Sequence, residues 1–507
     1  MPIALNFTPR LRAIESAHSH LPLMQRAGAA AADWASDLAR PGEQPILVLA
    51  GPGNNGGDAF EAAHRLRQGF YDVRLVFIGD LSKLPKDAAA ACQRFLDAEG
   101  VILDHIPGIG PWSLIIDGLF GIGLQRPAEG QYETLIVAAN QLALRDGCPL
   151  LALDCPSGIN ADTGMAYSPT IRATHTLTFI SGKPGLWTND GPDFCGEIRI
   201  ADLAIAADDT GQADGLLLNR SLFAGKLQPR RRNTHKGSYG SVGIVGGSHG
   251  MVGAALLASR AALKLGAGRV YVGLLDADPL AVDVVQPELM LRPADDVFAA
   301  DLKALAVGPG LGQTEAARRL LEKSLASPLP LVLDADALNL IAQDTTIQEA
   351  MQRRQSPVIL TPHPAEAARL LACSVATIQA DRVRSALALA GHLASFVALK
   401  GCGTVIAAPD GRCWINPTGN PGMASAGMGD VLTGLVASLL AQDWPAEEAL
   451  LAGVHLHGEA ADTLVSQGIG PIGLTAGEVI DAARAVFNRW IGDVNAPAHA
   501  APQRPAL

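Results

Sequence analysis

The stretch ILVLAGPGNNGGDAFEAAHRLRQGF, residues 46–70, decides how the chain folds. An apolar run, Ile46 to Ala50, closes on Gly51 and reads as a strand. A glycine-rich turn follows, and an Ala-containing helical stretch carries the chain back. The same rhythm recurs in VRLVFIG (73–79), SLIIDGLFG (113–121) and LLALDCPSG (150–158), each an apolar run ending in Gly or Asp. Strands alternating with helical stretches predict a parallel sheet wound with helices. Upstream, Leu11 to Leu38 is Ala-rich with spaced apolar residues and is expected to be helix.

The rhythm stops between about 205 and 235, where AADDTGQADG and LQPRRRNTHKGSYG are polar and lack apolar periodicity. A domain boundary is expected there. Beyond it the alternation resumes in SVGIVGG (241–247), RVYVGLL (269–275), LKALAVGPG (302–310), LPLVLDADAL (329–338), PVILTPHP (357–364) and FVALKGCGTVIAAP (396–409). The expected division is a first α/β domain over 1–215, a second over 216–495, and a disordered Pro/Ala-rich tail over 496–507. The halves share an architecture but no motif, which excludes an internal duplication.

With 507 residues, 48% of them hydrophobic, the chain has apolar material for two cores. A net charge of −11 gives no general attraction for nucleic acid or an anionic membrane. The one dense basic cluster, Arg230 to Arg232, is either a solvated linker or a lure for nucleotide phosphate. Seven cysteines with no Cys-x-x-Cys pair argue against a disulfide framework and a zinc site, and fit a reducing cytoplasm. No apolar run reaches the length of a membrane span and none resembles a leader, so a cytoplasmic protein without membrane or nucleic-acid partners is expected.

In the second half, GMASAGMGDVLTGLVASLLA (422–441) starts with small residues and continues as an apolar helix. The amides of Ala426 to Asp430 then form a helix start suited to an anion. Asp430 is either the base that takes a proton from a substrate hydroxyl or a plain helix cap. Lys400-Gly401-Cys402-Gly403-Thr404 stands at the turn of a strand-turn-strand unit, where amides, an ammonium and a hydroxyl can hold phosphate. VGPGLG (307–312) is a ligand loop or a tight turn. Asp334 and Asp336 sit at a strand's carboxyl end, the ligand side of an open sheet, or cap the next helix. His363 lies between two prolines, in a stiffened loop, as a ligand group or a structural one.

In the first half, Asn54, Asn55 and the amides of Gly56, Gly57 and Asp58 follow a strand and open a helix, a phosphate cradle without a nucleotide-hydrolase lysine. DGLFGIGLQRP (117–127) and DCPSGIN (154–160) add two more loops, with Asp117, Asp154 and Ser157. Each carboxylate alone is equally a turn residue. Three consecutive strand ends bearing oxygen ligands point to one shared site.

The ordered motifs GSYGSVGIVGGSHGMVGAALLASRAALKLGAG, VGPGLG, LDADALN, TPHPAEAARLL, KGCGT and GNPGMASAGMGDVLTG closely resemble the carbohydrate-kinase-like family of ADP- or ATP-dependent NAD(P)H-hydrate dehydratases, over about 225–490. The resemblance implies a ribokinase-like three-layer fold and ADP-dependent dehydration of the S epimer of hydrated NADH or NADPH. It implies that Lys400 to Thr404 and Gly429 contact the nucleotide, and that Ala254, Gly310, His363 and Asp430 line the hydrate pocket, with magnesium accompanying ADP or ATP. Ala365, Cys402 and Ala426 depart from the family's usual residues, each to another small one. The first half, with LMQRAGAAAADWA (23–35), resembles the NAD(P)H-hydrate epimerase family over about 8–205. That resemblance implies a Rossmann-like three-layer fold. Its hydrate site comprises Asn54 to Asp58, then Gly121, Ile122, Gly123, Leu124, Gln125, Arg126 and Pro127, with Asp154 as acid–base group. The same resemblance implies a potassium ion held with the help of Asn55, Asp117 and Ser157. Ala59 stands where that family usually has glycine. The order of the halves is that of bifunctional NAD(P)H-hydrate repair enzymes, whose partners are the two hydrates and ADP, and a homo-oligomer is expected. The alternative is a ribokinase-like small-molecule kinase fused to a non-catalytic nucleotide-binding domain.

Overall fold

A computed structural model describes residues 2–39, 44–278 and 280–495, so the tail expected to be disordered lies outside the described residues. The chain divides into two compact units, one spanning Ile3–Leu216 and one from Leu217 onward.

The first unit is built on a seven-stranded sheet in the order Ile102–Leu103, Val73–Phe77, Ile46–Ala50, Leu114–Gly118, Leu150–Leu153, His175–Phe179, Glu197–Ala201, parallel throughout. Alternate residues of each strand feed opposite faces. Ile46, Val48 and Ala50 pack with Leu114 and Ile116 against Ala31, Trp34, Phe60 and Ala63 of two helices, Leu23–Leu38 and Asn54–Gln68. Leu47, Leu49 and Ile115 pack on the other side against Leu135, Ile136 and Ala139 of the helix Gln131–Asp146. Three layers result, with every central strand covered on both faces. From Ile46–Ala50 the chain moves to one side of the sheet, then returns to place Leu114–Gly118 on the other. The crevice at the carboxyl ends of those two strands is the switch point where an open α/β sheet holds its ligand.

Two departures from the sequence reading have physical causes. The helix expected over Leu11–Leu38 is two, Thr8–Ala17 and Leu23–Leu38. Pro22 lacks an N–H and disfavours helical backbone at Leu21, which breaks the run. The strands HTLTF and EIRIA, His175–Phe179 and Glu197–Ala201, alternate polar and apolar residues and lack the predominantly apolar run by which those at 46–50, 73–77, 114–118 and 150–153 were recognised.

The second unit carries its strands in the order Cys413–Ile415, Val405–Ala407, Phe396–Leu399, Val358–Leu360, Leu331–Leu333, Ala304–Val307, Ser241–Gly246, Arg269–Leu274, Met290–Pro293. From Phe396–Leu399 onward the pairs are parallel, while the strands at 396–399, 405–407 and 413–415 form antiparallel hairpins. The helix Met428–Ala441 is buried along nearly its whole length, as its predominantly apolar composition after Asp430 requires. It crosses the helix Val252–Lys264 closely, since a Cβ on Gly434 would lie 2.0 Å from the Ala258 carbonyl oxygen. Arg230 stacks on Tyr239 and donates to the Gly266 carbonyl oxygen at 2.6 Å, tying its segment down. Among the described residues no helix is long and apolar enough to cross a membrane.

Candidate active sites

At the switch point of the first unit lies a cavity of about 830 Å³ lined by Asn54, Asn55, Asp58, the run Gly121 to Arg126, and Asp154. Gly56 and Gly57 are absent from the lining and serve packing. A Cβ on Gly56 would lie 1.8 Å from the Gly51 carbonyl oxygen, and one on Gly57 would lie 2.6 Å from Met24 Cε. These glycines let the helix Asn54–Gln68 start hard against the strand ends. Pro127 also lies outside the lining.

Asp154 is held at φ +65°, left-handed backbone that a non-glycine residue adopts only when its surroundings impose it. Its Oδ1 receives the Lys183 ammonium, which also donates to Thr178 Oγ1 at 2.6 Å and to the Phe179 carbonyl oxygen at 2.9 Å. Lys183 is 1% exposed and lines the cavity with Asp154, so the carboxylate has a fixed, desolvated cation beside it. Glu15 and Asp58 share the cavity, and both carboxyls are pushed above the usual range by burial first and by the charge of Asp154 second. Lys183 and Glu15 lie outside the sequence motifs. The signal available for Lys183 was its place just after a strand end, in FISGKPG.

Beside this cavity Asp117 is buried. Its Oδ1 accepts from Ser157 Oγ at 2.7 Å and its Oδ2 from the Ser157 amide at 2.8 Å. Burial raises its carboxyl to about 6. The side-chain amide of Asn55 is buried with neither its oxygen nor its nitrogen partnered. An orphaned amide oxygen is costly unless a ligand meets it, and together with the carboxylate and hydroxyl nearby the donor set suits a hard, oxygen-seeking cation such as potassium.

The second unit gathers its candidate residues at the strand ends as well. Asp334, 1% exposed, accepts from Lys400 Nζ at 2.8 Å and from Thr433 Oγ1 at 3.0 Å. Burial would raise its carboxyl, but the Lys400 charge and hydrogen bond hold it below the usual range. Asp430, in the first turn of the helix Met428–Ala441, is raised to about 6 by burial, then by Asp334, against the opposing pull of Lys400. Gly429 permits this crowding, because a Cβ there would lie 3.1 Å from Lys400 Nζ. Asp336 Oδ2 accepts from the Gly312 amide at 2.8 Å, joining the two loops VGPGLG and LDADAL. Gly310, at φ +61°, sits against the start of the helix Val252–Lys264, where a Cβ on it would be 3.2 Å from that of Ala254. Gly401 and Cys402 are exposed, and Thr404 Oγ1 donates to the Gly401 carbonyl oxygen at 3.1 Å.

His363 acts first as a cap. Its Nδ1 accepts from the amides of Ala365 at 3.1 Å and Glu366 at 3.3 Å, while Glu366 Oε2 accepts from the His363 amide at 2.8 Å. Accepting at Nδ1 fixes the proton on Nε2, which lies 3.2 Å from Glu366 Oε1. Burial and then the Lys400 charge lower the imidazole's pKa, in keeping with a neutral ring. Glu366 is buried and raised to about 7 by that burial. It was not singled out from sequence, although its place three residues after His363 is that of a capping box.

A family model described as NAD(P)H-hydrate dehydratase matches residues 242–482, and one described as YjeF-related protein N-terminus matches residues 20–185. The bifunctional NAD(P)H-hydrate repair enzyme Nnr of Coxiella burnetii is 38% identical over 488 residues, covering 94% of this chain and 96% of its own. The chain belongs to the bifunctional NAD(P)H-hydrate repair enzyme family. The protein of the same name from Escherichia coli is 37% identical over 482 residues, covering 93% of this chain and 90% of its own. Among solved structures, the ADP/ATP-dependent NAD(P)H-hydrate dehydratase from Bacillus subtilis co-crystallized with ATP and Mg2+ is 35% identical. It covers 54% of this chain and 97% of its own, at a TM-score of 0.48. In this repair-enzyme chain the dehydratase match spans every second-site residue from Ala254 to Asp430, and the YjeF-related match runs just past Lys183.

Proposed function

We propose that the first unit interconverts the R and S hydrates of NADH and NADPH, and that the second dehydrates the S hydrate using ADP, releasing AMP and phosphate. The observation that supports this best is the presence, in one chain of this family, of two separate carboxylate centres: Asp154 backed by Lys183, and Asp430 beside the Lys400–Asp334 pair. In the first centre Asp154 is the acid–base group at the epimerised carbon, and Lys183 holds its carboxylate toward the cavity. Asn55, Asp117 and Ser157 would hold the potassium ion, whose fixed charge would steady the Asn54–Asp58 loop.

In the second centre a hydroxide would be a poor leaving group. Asp430 therefore takes the proton of the hydrate's C6 hydroxyl as that oxygen accepts the terminal phosphoryl group of ADP. Phosphate then departs as the ring nitrogen's lone pair moves in, and loss of a proton from the neighbouring carbon completes the dihydronicotinamide ring. The amides of Gly401 to Thr404 and of the helix start at Met428 face the phosphoryl oxygens. Among the described residues there is no cluster of three His, Cys, Asp or Glu side chains fit for a metal. Magnesium would enter with the nucleotide, held largely by phosphate and water, and screen its charge.

Product analysis tests the reading. S hydrate of NADH with ADP is expected to yield NADH, AMP and phosphate, whereas a stable phosphorylated product would assign the second unit to the small-molecule kinases. Pure R hydrate is expected to epimerise with an Asp430→Asn variant and not with Asp154→Asn. Exchanging potassium for a larger organic cation is expected to slow epimerisation and leave dehydration of S hydrate unchanged.

A further inference from the structure

The Lys400–Thr404 loop is exposed at Gly401 and Cys402, yet the Lys400 ammonium turns inward to Asp334 Oδ1 at 2.8 Å. The second oxygen of that carboxylate takes the Thr433 hydroxyl at 3.0 Å. Thr433 stands three residues after Asp430 on the helix Met428–Ala441, and residues at that spacing share a face. Gly429 completes the arrangement, leaving room for the ammonium where any side chain would crowd it. One buried carboxylate thus joins the end of the strand Phe396–Leu399, through Lys400, to the first turns of the helix that carries Asp430.

We propose that Lys400, Asp334 and Thr433 form a clamp that seats this helix start and sets the charge around Asp430, so that Lys400 and Asp334 are positioning residues for the base. Contact with nucleotide phosphate in the Lys400–Thr404 loop is left to the backbone amides. The proposal rests on the dehydratase reading given above. The charged groups acting on Asp430 are Asp334, Lys400 and Asp336. Removing the cation disfavours the ionised base, and removing the Asp334 carboxylate favours it.

The test is a pair of single substitutions and their combination. In Lys400→Met the acid limb of the dehydration profile is expected to move to higher pH, and in Asp334→Asn to lower pH. The double variant is expected to return toward the starting profile, with the KM for ADP within about threefold throughout. A rise of about tenfold or more in that KM for Lys400→Met, with no movement of the acid limb, would show a direct phosphate contact and overturn the clamp. Carbon-13 carboxyl titration of Asp430 in the nucleotide-free protein, assigned with Asp430→Asn, reads the same shifts without turnover. Opposite shifts there, in a protein that does not dehydrate S hydrate, would keep the clamp and remove the dehydratase reading. Absence of both shifts would remove the clamp alone. Should either single variant fail to fold, Thr433→Val decides, because it removes one hydrogen bond and keeps both charges. A lowered kcat at unchanged ADP KM supports the clamp, and an unaltered kcat refutes it.

Discussion

Asp430 serves as a base only while ionised, and its carboxyl sits near 6, raised by burial and by Asp334. The sign follows: kcat for dehydration is expected to hold above that value and to fall about tenfold for each further pH unit as pH drops below it, read from a rate profile at saturating ADP. Asp430→Asn is expected to lower that kcat by about 10²- to 10⁴-fold, and a loss of less than tenfold would remove Asp430 from the role of base. At the other site Lys183 is the residue to change. With its ammonium gone, the Asp154 charge loses its buried partner, and Lys183→Met is expected to abolish measurable epimerisation and to destabilise the first unit by about 3–5 kcal/mol. Denaturant unfolding of Lys183→Met beside the Lys183→Met/Asp154→Asn double variant checks the cause. Partial recovery in the double variant identifies the stranded carboxylate, and no recovery points to lost packing. At this scale the motif residues Asn54, Asp117, Asp154 and Asp430 were legible in the chain. Lys183 was not, because no local pattern marks it, and Asp334 was legible as a strand-end carboxylate but not as the partner of Lys400.

The elements act by bringing loops together at strand ends. The helix Asn54–Gln68 begins so close to its sheet that Gly56 touches the carbonyl of Gly51. Gly56→Ala is expected to push the helix start outward, lower stability by about 1–3 kcal/mol and disable epimerisation, as thermal melting and an R-hydrate assay would show. Gly53→Ala, with nothing within 4 Å of the added Cβ, is expected to change stability by less than about 1 kcal/mol. The strands at 46–50, 73–77, 114–118 and 150–153 announced themselves by runs that are apolar apart from Arg74 and the closing Asp117–Gly118. His175–Phe179 did not, since Thr176 and Thr178 interrupt it, although both are fully buried. Thr178 helps hold Lys183, so the strand hardest to read from sequence is also one that builds the site.

At the scale of the whole chain, each unit has its own sheet and its own carboxylate centre. An equimolar mixture of Asp154→Asn and Asp430→Asn chains is therefore expected to convert a mixed population of R and S hydrates fully to NADH in the presence of ADP, followed by recovery of dihydronicotinamide absorbance. Either variant alone is expected to fall short, Asp154→Asn leaving the R hydrate and Asp430→Asn leaving both. The sequence by itself determined the alternation of strand and helix, the glycine loops at strand ends and the order of motifs, all of which are written in stretches of a few adjacent residues. The tertiary structure decided the pairings Lys183–Asp154 and Lys400–Asp334, whose members stand 29 and 66 residues apart. Parallel strands separated by helices bring such residues to one edge of a sheet, and the charge balance at each carboxylate exists only once that edge has formed.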